Sequence, residues 1–127
     1  MKRIIFPLIL ISLTLSSHAQ EPVPLRVLSY NIYHGATMKG DFNLDTIADV
    51  IASLKPDLVA LQEVDRLTNR ARKMDLVTEL GLRTKLAPLF GRAMYYDSGE
   101  YGEGILSAFT FVSSCNRPLP ASPDHEP

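Results

Sequence analysis

"LSYNIYHG", residues 28–35, is an apolar run that ends on an asparagine and breaks into a polar turn. From Val27 onward nearly every position of "LRVLSYNIY" is apolar, which suits a strand buried on both faces. An asparagine at the end of such a strand is, taken alone, a turn former: its side chain bonds nearby backbone in place of ladder partners. A second strand decides whether Asn31 is more than that. "DLVALQEV", residues 57–64, is again a continuous apolar run, and it closes on Gln62 and Glu63.

Between the two runs lie the loop-like "GATMKGDFN" and then "LDTIADVIASLK", where Leu44, Ile47, Ile51 and Leu54 recur at helical spacing. Asn43 or Asp45 would cap this helix and Pro56 would stop it. The order strand, helix, strand makes the two strands parallel, and a right-handed crossover brings their carboxyl ends to one edge of the sheet. Asn31 and Glu63 are therefore expected to be neighbours in an α/β fold.

Ligands of open α/β sheets sit beyond those carboxyl ends. A carboxylate and an amide oxygen converging there are hard ligands of the kind that hold Mg²⁺ or Mn²⁺, with water and substrate phosphate completing the shell. Glu63 would anchor the cation. Asn31 could bind it through its carbonyl, or turn its NH₂ toward a phosphate oxygen.

Further along, "MDLVTELGLRTKL" predicts a second helix from Asp75 to about Leu80, with Gly81 as its stop. "LFGRAMYYD" reads as a strand, "SGEYGEG" as a glycine-rich turn and "ILSAFTFVSS" as another strand. "NRPLPASPDHEP" has prolines throughout and no periodicity.

The chain begins "MKRIIFPLILISLTLSSHAQ", with Lys2 and Arg3 ahead of an apolar run from Ile4 to Leu15 and small residues at Ser17 and Ala19. The run is short for a bilayer span, so residues 1–19 are expected to be a cleaved secretory signal peptide. Residues 20–127 would then be a secreted or periplasmic domain with no stable membrane insertion. Taking Lys2 and Arg3 from the thirteen basic residues, against fourteen acidic ones, leaves a net charge of −3. That balance gives no basis for tight, sequence-independent nucleic-acid binding. The densest basic cluster, "RLTNRARK" from Arg66 to Lys73, reads as a solvated loop. A single cysteine, Cys115, excludes an internal disulfide and cysteine-rich zinc sites, and it reads as a small apolar residue. No Gly-x-Ser-x-Gly block supports a serine hydrolase.

"LRVLSYNIYHG", "KPDLVALQEVD" and "GEYGEGILS" together resemble the opening blocks of the endonuclease/exonuclease/phosphatase family, metal-dependent hydrolases of phosphate esters. They cover about residues 25 to 110. The resemblance implies a four-layer α/β sandwich, two sheets flanked by helices, of which this chain would be the N-terminal half. It implies that Asn31 lies in the phosphate and metal site and that Glu63 ligates the catalytic Mg²⁺ or Mn²⁺. His34 and Tyr101, in turns near the family's cleft, are candidate substrate contacts. Some relatives place an acid two residues beyond the asparagine; Tyr33 stands there, so that strand offers no second acidic ligand. Asp65 is a candidate hydrogen-bond partner near the site or an exposed acid.

The family's base histidine, its adjacent aspartate and a late Asp-x-Asn pair have no clear match. "GDFN", residues 40–43, spells the pair but precedes a helix, so Asp41 and Asn43 read as loop and cap residues. Asp124 and His125 resemble the Asp-His pair, but no strand precedes them. The resemblance thus implies a phosphoesterase truncated before its second catalytic half, acting on nucleic acid, a phospholipid head group or a small phosphodiester. The alternative is an inactive, partner-binding remnant, with the uncovered sheet as a surface for self-association.

Overall fold

The computed structural model describes residues 22–117 and residue 119. The expected signal peptide and the Asp124-His125 pair lie outside the described residues. Strand β1, Val27–Asn31, runs through a one-turn 3₁₀ segment at Tyr33–Gly35 to helix α1, Leu44–Leu54, and on to strand β2, Leu58–Arg66. Helix α2, Leu76–Thr84, leads into the hairpin of β3, Ala87–Tyr96, and β4, Gly99–Ser107. The four strands form one mixed sheet in the order β1-β2-β4-β3. β1 and β2 are parallel, with Asn31 opposite Gln62, as a helical crossover requires. β4 runs antiparallel to both neighbours.

Period-two alternation along the strands sends one set of side chains to the helices. Val59, Leu61, Val64 and Leu106 share a single core with Ile47 and Ile51 of α1 and Leu76 and Leu80 of α2. Each such side chain is worth about 1.5–3 kcal/mol when fully buried. The opposite face is open: Val27 and Ile105 are 60% and 42% exposed. β1 is therefore buried on one face, not two as its apolar run suggests. Its outward residues Ser29 and Asn31 are exposed.

Local chemistry explains the element ends. The Asn43 side chain accepts from the Thr46 N–H at 3.0 Å and caps α1, confirming that "GDFN" is loop and cap. Lys55, at φ 48°, ends α1 in the left-handed conformation just before Pro56. Leu54 is exposed, unlike its helical-spacing partners.

Four expectations need correction. Gly81 does not stop α2, which continues to Thr84 and ends at Lys85. A Cβ on Gly81 would stand 2.9 Å from the Leu86 carbonyl oxygen, so its role is close approach of helix and following chain. "SGEYGEG" is not a turn either. The hairpin turns on Asp97 and Ser98 alone, both at positive φ, and the glycines lie within β4. A Cβ on Gly102 would sit 2.1 Å from the Gly91 carbonyl oxygen, so the glycine is there for strand proximity. β4 ends at Ser107, and "AFTFVSS" forms no strand. Finally, Cys115 is free and exposed, not packed as a small apolar residue.

Candidate functional site

β2 carries a bulge between Leu61 and Val64, where it holds one residue more than β4. Gln62 and Glu63 together face Glu103 there, and Glu63 has φ 57°. Simple alternation after Val59 and Leu61 would send Glu63 into the core. The extra residue gives that place to Val64, which is fully buried, and turns Glu63 out to the sheet edge. A non-glycine residue in left-handed backbone inside a strand costs about 1–3 kcal/mol and persists where surrounding structure enforces it.

The outward carboxylate meets Asn31. Asn31 Nδ2 donates to Glu63 Oε1 at 2.7 Å, and Asn31 Oδ1 accepts from the Tyr33 backbone N–H at 2.9 Å. These partners fix the amide's orientation, since an N–H must face the carbonyl oxygen and a carboxylate the NH₂. The strand-end asparagine is thus both turn former and orienter of Glu63. Glu63 Oε2 has no hydrogen-bond partner among the described residues.

Beside this pair lies a cleft of about 410 Å³ lined by Tyr33, His34, Glu63, Arg70, Met94, Tyr96 and Tyr101. His34 and Tyr101 thus lie with Glu63 at one place, Tyr101 presented by a strand and not by the turn expected from the sequence. Tyr33 and His34 both take positive φ, and their rings stand 4.4 Å apart. Burial and then the Arg70 charge push the His34 pKa below 6.5, against weaker upward pulls from Asp65 and Glu63. Burial and then Glu63 raise both Tyr101 and Glu103 above their ordinary values.

The basic cluster is not the solvated loop its composition suggests. Asp65 is fully buried. It accepts from Arg70 Nε at 2.7 Å and Nη2 at 2.8 Å, and from Thr68 Oγ1 at 2.5 Å. The Arg70 backbone N–H donates to Asp97 Oδ2 at 2.8 Å, pinning the loop to the β3–β4 turn. Its guanidinium lies 4.5 Å over the Tyr96 ring. Arg66 pairs with Asp75 and Glu100, and Lys73 donates to the Ser98 carbonyl. Charge composition hid Arg70. The usable trace is positional, because the loop follows the carboxyl end of β2, where sites form.

Together these features define an α/β domain with an amide–carboxylate pair at its strand ends. The model of the endonuclease/exonuclease/phosphatase family matches residues 28–126. The chain belongs to that family. Its fold is similar to an endonuclease/exonuclease/phosphatase from Beutenbergia cavernae DSM 12333, with a TM-score of 0.57 and 22% identity over 71% of this chain and 27% of that one. It is also similar to an endonuclease/exonuclease/phosphatase family protein from Leptotrichia buccalis C-1013-b, with a TM-score of 0.56 and 16% identity over 71% of this chain and 39% of that one. At such identities the likeness is one of fold, and the chain spans well under half of either structure's length. No curated protein matches the chain.

Proposed function

We propose that this chain forms part of a divalent-metal-dependent hydrolase of phosphate esters. The observation that carries the reading is the Asn31–Glu63 hydrogen bond at the carboxyl ends of two parallel strands, beside a polar cleft. The donor set suits Mg²⁺ or Mn²⁺. Glu63 Oε1 is held by an amide while Oε2 is uncommitted, and magnesium binds through one or two carboxylates while keeping several waters. No cluster of three or more acidic, histidine or cysteine groups exists among the described residues, so a cation here would draw on water and substrate phosphate.

When bound, such a cation supplies charge stabilisation at a phosphoryl oxygen and lowers the pKa of attacking water. The chain's own residues orient and select. Asn31 holds one carboxylate oxygen so that the other is presented. His34, biased toward its neutral form by burial and Arg70, offers a hydrogen bond to substrate. Tyr101, its phenol kept protonated, remains a donor.

The finer architecture follows the same reading. A second sheet would cover the open face that exposes Val27 and Ile105, completing a four-layer sandwich. Export through residues 1–19, with residues 20–127 as the secreted or periplasmic domain, belongs to the proposal too. Substrates in range are nucleic acid, phospholipid head groups and small phosphodiesters. That same open face favours a second reading, a non-catalytic module that binds a partner or another copy through it.

Two measurements on the full chain test the proposal. Mn²⁺ should broaden NMR resonances around Glu63 and Asn31 and lose that effect in Glu63→Gln. Turnover of bis-p-nitrophenyl phosphate should require Mg²⁺ and vanish in the same variant. Metal binding without turnover would favour the non-catalytic reading, and absence of metal binding would remove the hydrolase.

A further inference from the structure

We propose that Arg70 is a phosphate anchor of the cleft, its Nη1 donating to a non-bridging oxygen of the substrate phosphate. The inference deepens the hydrolase reading and rests on it for the identity of the ligand.

The geometry separates the guanidinium's donors into two sets. Nε and Nη2 face the buried Asp65 carboxylate. Nη1, with two hydrogens, has no partner among the described residues. An arginine serving only to neutralise Asp65 would be sealed with it, yet the Arg70 side chain is 32% exposed while that of Asp65 is fully buried. Arg70 is among the residues that line the cleft holding Glu63 and His34.

Three restraints fix the open edge. Asp65 sets the guanidinium plane through two parallel bonds, Tyr96 supports its face at 4.5 Å, and Asp97 holds its backbone. A donor ordered in advance loses little entropy on binding, and arginine's planar fork suits phosphate oxygens.

Electrostatics supply the need. A phosphate entering this cleft meets the charge of Glu63, with Glu103 opposite the bulge. Among the residues lining the cleft, Arg70 is the permanent cation, and His34 is biased toward its neutral form. Asp65 cancels much of Arg70's distant field but leaves its directional hydrogen bonds. Short-range recognition of one oxygen is the expected result, not general attraction of polyanions.

The test uses ¹⁵N-labelled full chain without added metal, following the Arg70 Nε–Hε resonance during titration with inorganic phosphate at constant ionic strength. The resonance should move saturably with phosphate and stay still with sodium chloride. In Arg70→Lys, phosphate affinity read at the His34 and Tyr101 amides should fall about tenfold or more. Phosphate shifts that bypass Arg70, an Arg70→Lys chain that binds as tightly as the parent, or no response to phosphate anywhere would each overturn the assignment. The parent titration is decisive even if the variant folds poorly. Mg²⁺ binding is read separately through Glu63→Gln, so loss of the hydrolase reading and loss of the phosphate contact produce different results.

Discussion

Arg70→Ala should be among the most destabilising changes in this chain. The substitution removes two charge-assisted hydrogen bonds, at 2.7 and 2.8 Å, from a carboxylate that water does not reach. Breaking one partner out of a buried ion pair costs about 3–5 kcal/mol. Arg70 itself is 32% exposed, so its own solvation offsets part of the pair's attraction, and water can enter the space it vacates. The lower end, about 3 kcal/mol, is the expected loss. Among the described residues, Thr68 remains as the one side-chain donor to Asp65. Domains of this size have about 5–15 kcal/mol in total, so the variant should fold but unfold at clearly lower urea.

Asp65→Asn should cost less, about 1–2 kcal/mol, because the amide keeps the shape and one acceptor while Arg70 turns to water. The double variant has neither charge, so its loss should fall short of the sum by about 1.5–2 kcal/mol. Urea unfolding followed by far-UV circular dichroism measures all four chains, with matching m-values as the check on comparable unfolded states. The pair is shielded, so raising salt should change the coupling little. If either single change costs less than about 0.5 kcal/mol, or the two add without coupling, Asp65 and Arg70 do not form the pair that orders this loop.

Three further outcomes follow from backbone and charge. Ser98→Gly should stabilise the hairpin by about 0.5–1 kcal/mol in the same assay, since Ser98 sits at φ 60° with a side chain that favours other conformations. Gly102→Ala should cost about 3 kcal/mol or prevent folding, read as lost amide dispersion in NMR, because its Cβ would meet the Gly91 carbonyl oxygen at 2.1 Å. His34 should titrate below 6.5 by NMR. With a depressed folded pKa, the unfolded chain takes up the proton first, so the stability His34 contributes is complete above about pH 6.5 and declines as pH falls through that value toward the folded pKa. Glu63→Gln, which removes an upward pull, should lower the His34 value further.

Much of the supporting fold was legible because it depends on short-range rules. Parallel β1 and β2 follow from the helix between them, and Asn43, one of two candidates read from the sequence, caps α1. What was hidden depends on partners distant in the chain. Glycines 99, 102 and 104 look like a turn in isolation, and only the approach of the Arg66–Thr68 backbone, of β3 and of the Val77 and Leu61 side chains, respectively, explains them as strand residues. Arg70 looks like one charge among several until Asp65 is known to be buried beneath it. Composition counts charges and cannot say which of them a fold has paired.

Glu63 shows how the two kinds of information meet. The spacing of the buried residues on β2 is two between Val59 and Leu61 and then three between Leu61 and Val64, a break in parity visible only once burial is known. A strand that kept its period would drive a carboxylate into the apolar core, at a cost far larger than a bulge. The chain adopts instead a left-handed residue at Glu63, which returns Val64 to the core and leaves the acid at the strand ends against Asn31. The strain is therefore a consequence of keeping an acid on a core strand. An apolar residue at position 63 would relieve the need for the bulge, and its absence is the physical reason to look for function at that acid rather than at the other polar strand ends.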